Sequence, residues 1–278
     1  MFDRTFHSVH PDMMEGASNQ ALRNRHLVDG LFRRGEIVLT YSHDERFIVG
    51  GAVPDGGGLA LPRLSEPPSA AGSALLDRRE LAIVNIGRAP GRILADGIET
   101  RLDRYEVLYV PKGTQDVQFL GDGARFYLLS VPAHAAHPMR RIAPSDAGTL
   151  MRGSPEQANA RTIHQMIVPG RCASASLCLG LTRLHPGSVW NTMPPHVHGR
   201  RNEIYLYFDM GEEDRVFHFM GLPAALRHIV VANEQAVMSP PWSVHMGAGT
   251  RAYSFIWAMA GENQDYDDMQ LCGVDELR

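Results

Sequence analysis

From Leu81 onward the sequence is cut by turn residues into short apolar runs about ten residues apart, and a chain cut that finely has no room for long helices. "LAIVNIG", "GRILADG", "RYEVLYVPKG", "DVQFLGDG" and "ARFYLLSVPA" follow one another, punctuated by Gly87, Gly91, Gly97, Gly113, Gly121 and Gly123. Short strands at this spacing predict a sandwich or barrel. A second run of the same kind holds "TIHQMIVPG", "SLCLGLTRLHPGSVW", "NEIYLYFDMG", "RVFHFMG", "RHIVVANEQAVMSP" and "AYSFIWAMAG". Between the runs lies a polar stretch rich in proline and glycine, which reads as a linker. The expected organisation is all-β dominated: a barrel over 1–133, a linker over 134–160 and a second barrel over 161–278, with a few short helices. "VPKGTQD" in the first run and "SPPWSVH" in the second share a proline and a spacing, which points to an internal repeat.

Ahead of Leu81, "QALRNRH" carries a short helical pattern, and "EIVLTY" and "RFIVGGAV" read as strands. "PDGGGLALPRLSEPPSAAGSALLDRRE" reads as a long loop. Its glycines lack the strand–turn–helix setting of a nicotinamide-binding fingerprint. The 278 residues are 44% hydrophobic and 21% charged, a globular balance. A net charge of −4 gives no electrostatic case for nucleic acid or an anionic membrane as partner. No apolar run is long enough to span a bilayer, and the N-terminus has no signal-peptide core, so a cytoplasmic location is expected. Cys172, Cys178 and Cys272 are odd in number and form no CxxC, which favours reduced thiols.

The chemistry concentrates in "NTMPPHVHGRRNEIYLYF". On a strand, residues two apart share a face, so His196 and His198 converge if that segment is extended. "GRRN" reads as a tight connection, after which Glu203, Tyr205 and Tyr207 share one face of the next strand. A hairpin of this kind would bring Glu203 beside the two imidazoles. His245, in "SPPWSVHMG", is the candidate fourth donor. Three imidazoles and a carboxylate suit a divalent transition metal such as zinc, iron, manganese or nickel. An HxH pair alone says little in a chain with 13 histidines; the pair followed by Glu203, with a later histidine after proline, says much more.

These motifs resemble the cupin pattern. Gly187, His196, His198, Glu203 and Gly211 fill its first motif, and Pro240 and His245 the ends of its second, with Trp242 where glycine is usual. "VPKGTQD" then reads as the second motif of a degenerate cupin, with Asp116 in the histidine place. The first half has no HxH, so a bicupin with one metal-free jelly-roll barrel is expected. More specifically, "GSVWNTMPPHVHGRRNEIYLYFDM", "VFHFMGLP", "RHIVVANEQAVMSPPWSVHMGAGT", "YSFIWAMAGENQDYDDMQ" and "TIHQMIVPG" resemble the 5-keto-4-deoxyuronate isomerase family, and the likeness covers nearly the whole chain.

The resemblance implies an aldose–ketose isomerase of pectin and uronate breakdown. It would interconvert 5-dehydro-4-deoxy-D-glucuronate and 3-deoxy-D-glycero-2,5-hexodiulosonate, with one zinc ion held by His196, His198, Glu203 and His245 in a homohexamer. Glu203 is the candidate acid/base as well as a ligand, with Tyr205, Tyr207 and Tyr253 as phenols that can donate or relay protons. A carboxylate substrate calls for a cationic partner. Candidates are Arg161, Arg201 and Lys112, the only lysine in the chain, with His164, Gln165 and Tyr253 as further substrate contacts. Trp257 and Met259 read as core, and Asp265, Asp267 and Asp268 as a solvated loop. Alternatives are an isomerase of 5-deoxyglucuronate, an iron dioxygenase, or a cupin that binds a sugar acid without turning it over.

Overall fold

The computed structural model describes all 278 residues, and strands dominate it. The single α-helix, Asn19–His26, is eight residues long. Ser18 caps it by accepting from the Ala21 amide at 3.1 Å, and Arg23 and Arg25 in its last turn suit the negative end of the helix dipole. The all-β expectation holds.

Two compact units form. In the first, a seven-stranded sheet runs in the order Arg4–Phe6, Ile37–Ser42, Ile48–Ala52, Phe126–Pro132, Arg79–Asn85, Val107–Val110, Arg140–Ile142. Its companion is a four-stranded sheet of Leu59–Ala60, Val117–Leu120, Gly91–Ala95 and Ile98–Leu102. Leu39, Leu81, Ile83, Ile93, Phe119 and Phe126 belong to one buried cluster within this unit. In the second unit, the seven-stranded order is Gly148–Arg152, Arg161–Ile167, Cys178–Leu184, Ser254–Gly261, Arg201–Phe208, Gln235–Ser239, Leu27–Val28. The smaller sheet has five strands: Ala225–Val231, Val216–Leu222, Val244–Gly249, Trp190–Val197 and Gln270–Leu271.

The repeat hinted at by two short motifs extends through the topology. Taken in chain order, the nine strands from Ile37–Ser42 to Phe126–Pro132 occupy the same sheet places as the nine from Arg161–Ile167 to Ser254–Gly261. Register fixes the match at residue level: Leu81 pairs with Val110 before Pro111, as Glu203 pairs with Ser239 before Pro240. The first unit therefore carries buried Leu81 in the place of Glu203, and Asp116, ion-paired with Arg63 at 3.4 Å, in the place of His245. Gly113 adopts φ +92°, a conformation that only glycine takes easily, whereas Trp242 at the matching place does not have positive φ. The second turn has a different backbone, and this is how it accommodates tryptophan.

The units do not follow the expected cut at 133 and 161. The first comprises Met1–Phe6, Gly30–Ala147 and Met166–Leu177; the second comprises His7–Asp29, Gly148–Gln165 and Cys178–Arg278. The stretch read as a linker contains Arg140–Ile142 and Gly148–Arg152. Both are polar edge strands, and a strand with one edge and one face open to water need not look apolar in sequence. Glu80 explains the capture of Met166–Leu177: its buried carboxylate accepts from the amides of Ala175, Ser176 and Leu177 at 2.7–2.8 Å and from the Tyr109 hydroxyl at 2.7 Å. Val9 and Ala17 explain the capture of His7–Asp29. Their carbonyls accept from the Trp242 indole at 2.9 Å and from Arg227 at 2.6 Å, and Leu27–Val28 pairs with Gln235–Ser239.

His26 is buried at the end of the helix. Burial pushes its pKa down from 6.5 to about 4, with Arg25 adding to the shift and a hydrogen bond at Met238 opposing it. The folded state thus holds His26 neutral while the unfolded chain takes up a proton near 6.5. Its contribution is fully present above pH 6.5 and is lost as pH falls toward 4, on the order of 3 kcal/mol across that window. Urea unfolding followed between pH 7 and 4 should show a shallower pH dependence in His26→Phe than in the wild type. Identical slopes would remove His26 as a source of acid sensitivity.

Candidate metal centre

The four donors come from three strands and a turn. His196 lies on Trp190–Val197, Glu203 on Arg201–Phe208 and His245 on Val244–Gly249, while His198 follows the first of these strands. The expected hairpin between His196 and Glu203 does not form. Trp190–Val197 pairs with Val244–Gly249 and Gln270–Leu271, and Arg201–Phe208 pairs with Gln235–Ser239 and Ser254–Gly261. The turn at Gly199–Arg200 carries the chain from the small sheet to the large one, so the donors come from both sheets of the unit.

Their ligating atoms all lie within 4.8 Å of one another. Glu203 Oε2 is 3.1 Å from His198 Nε2 and 3.0 Å from His245 Nε2, and the Nε2 atoms of His196 and His198 are 3.1 Å apart. The opposite nitrogens face the chain's own acceptors. His196 Nδ1 lies 3.3 Å from the Pro194 carbonyl, His198 Nδ1 lies 3.0 Å from the Asp268 carbonyl, and His245 Nδ1 lies 3.3 Å from the Ser243 carbonyl. With the proton assigned to each Nδ1, in keeping with these carbonyls, the Nε2 lone pairs of His198 and His245 face one carboxylate oxygen and that of His196 faces His198. Glu203 Oε2 and His245 Nε2 are buried and make no hydrogen bond of acceptable angle. Lone pairs this close repel unless a cation lies among them, so the donor set fits a divalent transition metal.

The electrostatics agree with that fit. Burial pushes His196 down to about 3, helped by His245 and His198, so its imidazole is neutral near pH 7. Burial alone would raise the Glu203 carboxyl; His198 and His245 beside it overcome that and hold it well below the usual carboxylate range. A neutral His196 imidazole and an ionised Glu203 carboxylate are forms that a metal binds without displacing protons.

His196, His198 and Glu203 face a cavity of about 230 Å³. Tyr205 lines it on the same strand face as Glu203, and burial drives its phenol well above the ordinary value, with the Glu203 charge adding to the rise. Trp257 and Met259, read from the sequence as core, are buried and also form part of its wall. Gly180 makes room for that wall: a Cβ there would meet the Trp257 ring at 2.0 Å.

Among the expected substrate contacts, Arg161 lines this cavity and the others do not. Arg201 is 1% exposed and donates to the Asp268 carbonyl at 2.7 Å, the same oxygen that His198 reaches. Tyr253 is buried between Asn191, which donates to its oxygen at 2.7 Å, and the Val189 carbonyl, 3.2 Å away. His164 and Gln165 are half-buried on Arg161–Ile167, with His164 Nδ1 3.5 Å from Thr149 Oγ1. Lys112 belongs to the first unit, in the turn after Val107–Val110. Arg152, Thr192, Tyr266 and Asp267 also line the cavity, though no local sequence pattern marks them as site residues. The acidic loop, expected to be solvated, supplies the wall residue Asp267 and, through the Asp268 carbonyl, the orienting partner of His198.

A family model for the KduI/IolB family matches residues 75–272. The chain belongs to that family. Within it, the chain is 50% identical over 272 residues to the 4-deoxy-L-threo-5-hexosulose-uronate ketol-isomerase of Cereibacter sphaeroides, covering 98% of this chain and 97% of the relative. It is 46% identical to the protein of the same name from Lachnoclostridium phytofermentans, over 96% of this chain and 97% of that one. Among solved structures, an IolB-like protein from Salmonella typhimurium superposes with a TM-score of 0.61 at 18% identity, covering 82% of this chain and 87% of that one. An oxalate decarboxylase of Bacillus subtilis gives 0.53 at 10% identity, over 78% and 69%. These two likenesses concern the fold alone, and with them the all-β bicupin architecture expected from the motifs stands.

Elemental analysis of the purified protein should find about one divalent transition-metal ion per chain, and His245→Ala should lose most of it while keeping its β-type circular dichroism. Equal metal content in the two folded proteins would remove the assigned ligand set.

Proposed function

We propose that the protein is a metal-dependent ketol-isomerase that interconverts 5-dehydro-4-deoxy-D-glucuronate and 3-deoxy-D-glycero-2,5-hexodiulosonate in uronate catabolism. The observation that carries this reading is the full-length, 50% identical match to a ketol-isomerase in a chain whose three imidazoles and one carboxylate converge beside a cavity. Zinc is the proposed ion, held by His196, His198, Glu203 and His245. A cytoplasmic homohexamer completes the proposal, on the strength of the family likeness. The absence of any helix long and apolar enough to cross a membrane is in keeping with it.

The reaction moves a proton between two adjacent carbons and shifts a carbonyl from one to the other. A bound divalent ion supplies the electrophile that polarises the carbonyl oxygen. The chain's own groups do the rest. Tyr205, buried at the cavity wall and kept protonated, holds a proton at Oη that can be lent to a substrate oxygen. Glu203, on the same strand face, is the second candidate to carry a proton, in a role shared with ligation. Trp257, Phe255 and Met259 make the wall apolar and keep water from the intermediate. Nothing in this chemistry calls for oxygen or nicotinamide.

The wild type should turn over 5-dehydro-4-deoxy-D-glucuronate anaerobically, and should do so faster than 5-deoxy-D-glucuronate, the substrate of the alternative isomerase reading. Preference for the latter, or a need for oxygen, would overturn the assignment. Tyr205→Phe should lower kcat by about 10²–10⁴-fold with metal content intact. An unchanged kcat would take Tyr205 out of proton transfer.

A further inference from the structure

Two arginines face each other across the antiparallel pair Gly148–Arg152 and Arg161–Ile167, where Arg152 is the register partner of Arg161. Side chains directly opposite on neighbouring strands sit close together, and like charges in that position repel. Both arginines line the same cavity as His196, His198 and Glu203. Arg161 is 6% exposed, yet its Nη1 and Nη2 donate only to neutral acceptors, the Asn159 and Met193 carbonyls, each at 2.9 Å. Arg152 is exposed and donates to the carbonyl of its neighbour Met151 at 3.2 Å. Neither forms an ion pair. Glu203 is engaged with His198 and His245, and Asp267, the other carboxylate on the wall, pairs with neither arginine. Two arginines paired across the strands on one cavity wall, one of them buried, with no carboxylate of the chain ion-paired to either, form a site that lacks its counter-charge.

From this geometry we infer that Arg152 and Arg161 form the carboxylate subsite of the cavity and fix which way round the substrate lies. The inference rests on the ketol-isomerase reading and deepens it. A guanidinium fork binds a planar carboxylate through paired, charge-assisted hydrogen bonds, and a carboxylate between two arginines also relieves their repulsion. The metal donors and the arginines then take different parts of one molecule. In a six-carbon aldehyde acid, the carbonyl and its neighbouring hydroxyl stand at one end and the carboxylate at the other. The reacting carbons therefore lie toward His196, His198 and Glu203, and the acid end toward the Gly148–Arg152 edge strand. A sugar without the carboxylate would leave the two cations facing each other and would bind poorly.

The test is steady-state kinetics on the metal-loaded full-length enzyme, using Arg152→Gln and Arg152→Lys. Arg152 is exposed, so its replacement spares the core, and elemental analysis confirms that the ion is retained. In Arg152→Gln the KM for 5-dehydro-4-deoxy-D-glucuronate should rise tenfold or more, with kcat falling much less, and Arg152→Lys should recover part of the loss. An active wild type whose KM is unmoved in Arg152→Gln overturns the arginine assignment and leaves the reaction standing. An inactive wild type overturns the reaction itself, a result that cannot be confused with the first.

Discussion

The second barrel is organised around an ionised carboxylate buried at its centre. Glu203 is 3% exposed, and a charge in that position is tolerated only where opposing charge or strong donors surround it. The chain meets this demand from both sheets. The large sheet contributes Glu203 and Tyr205, the small sheet contributes His196 and His245, and the turn between them contributes His198. Carbonyls of Pro194, Ser243 and Asp268 then set the orientation of each imidazole. The orientation of the centre thus comes from backbone, one carbonyl on a strand and two in turns, held in place by the sheets.

The first barrel shows what the same topology becomes when that demand is absent. Leu81 stands where Glu203 stands, and it joins an apolar cluster with Ile83, Leu108 and Val110. Glu80, one residue earlier and on the opposite face, is also a buried carboxylate, but its partners are three backbone amides and a tyrosine hydroxyl. It secures a returning segment of chain and leaves no open valence. A one-residue offset along equivalent strands thus separates a carboxylate that ties backbone together from one that offers itself to an ion.

The convergence of His196, His198, Glu203 and His245 was legible because side chains two apart on a strand are a local pattern, and because the later histidine follows a turn motif repeated in both halves. The strand-rich architecture was legible for the same reason, through regular punctuation. What escaped depends on contacts between residues far apart in the chain. The sheet change at Gly199–Arg200 looks like a hairpin from inside the motif, since nothing local says which strand each segment will pair with. Arg152 sits on a polar edge strand that reads as linker, and its significance comes from the residue opposite it. Arg201 shows the converse: its place beside the HxH motif suggests a substrate contact, and in the fold it is buried and donates to the Asp268 carbonyl.

The pairing of Leu27–Val28 with Gln235–Ser239 has a consequence for how the molecule is made. During synthesis on the ribosome, the edge strand Leu27–Val28 of the second barrel emerges before the whole of the first barrel's main body, and its partner is added only after some two hundred more residues. The first barrel can be largely built in that interval, while the early strand and its helix wait without a sheet to join. Contacts so distant in sequence close slowly, and a strand left unpaired is exposed to wrong partners in the meantime. The same arrangement inverts the usual logic of trimming: cutting the chain between His7 and Asp29 would injure the second barrel, whose remaining strands all come later, and spare most of the barrel that follows it directly in the chain.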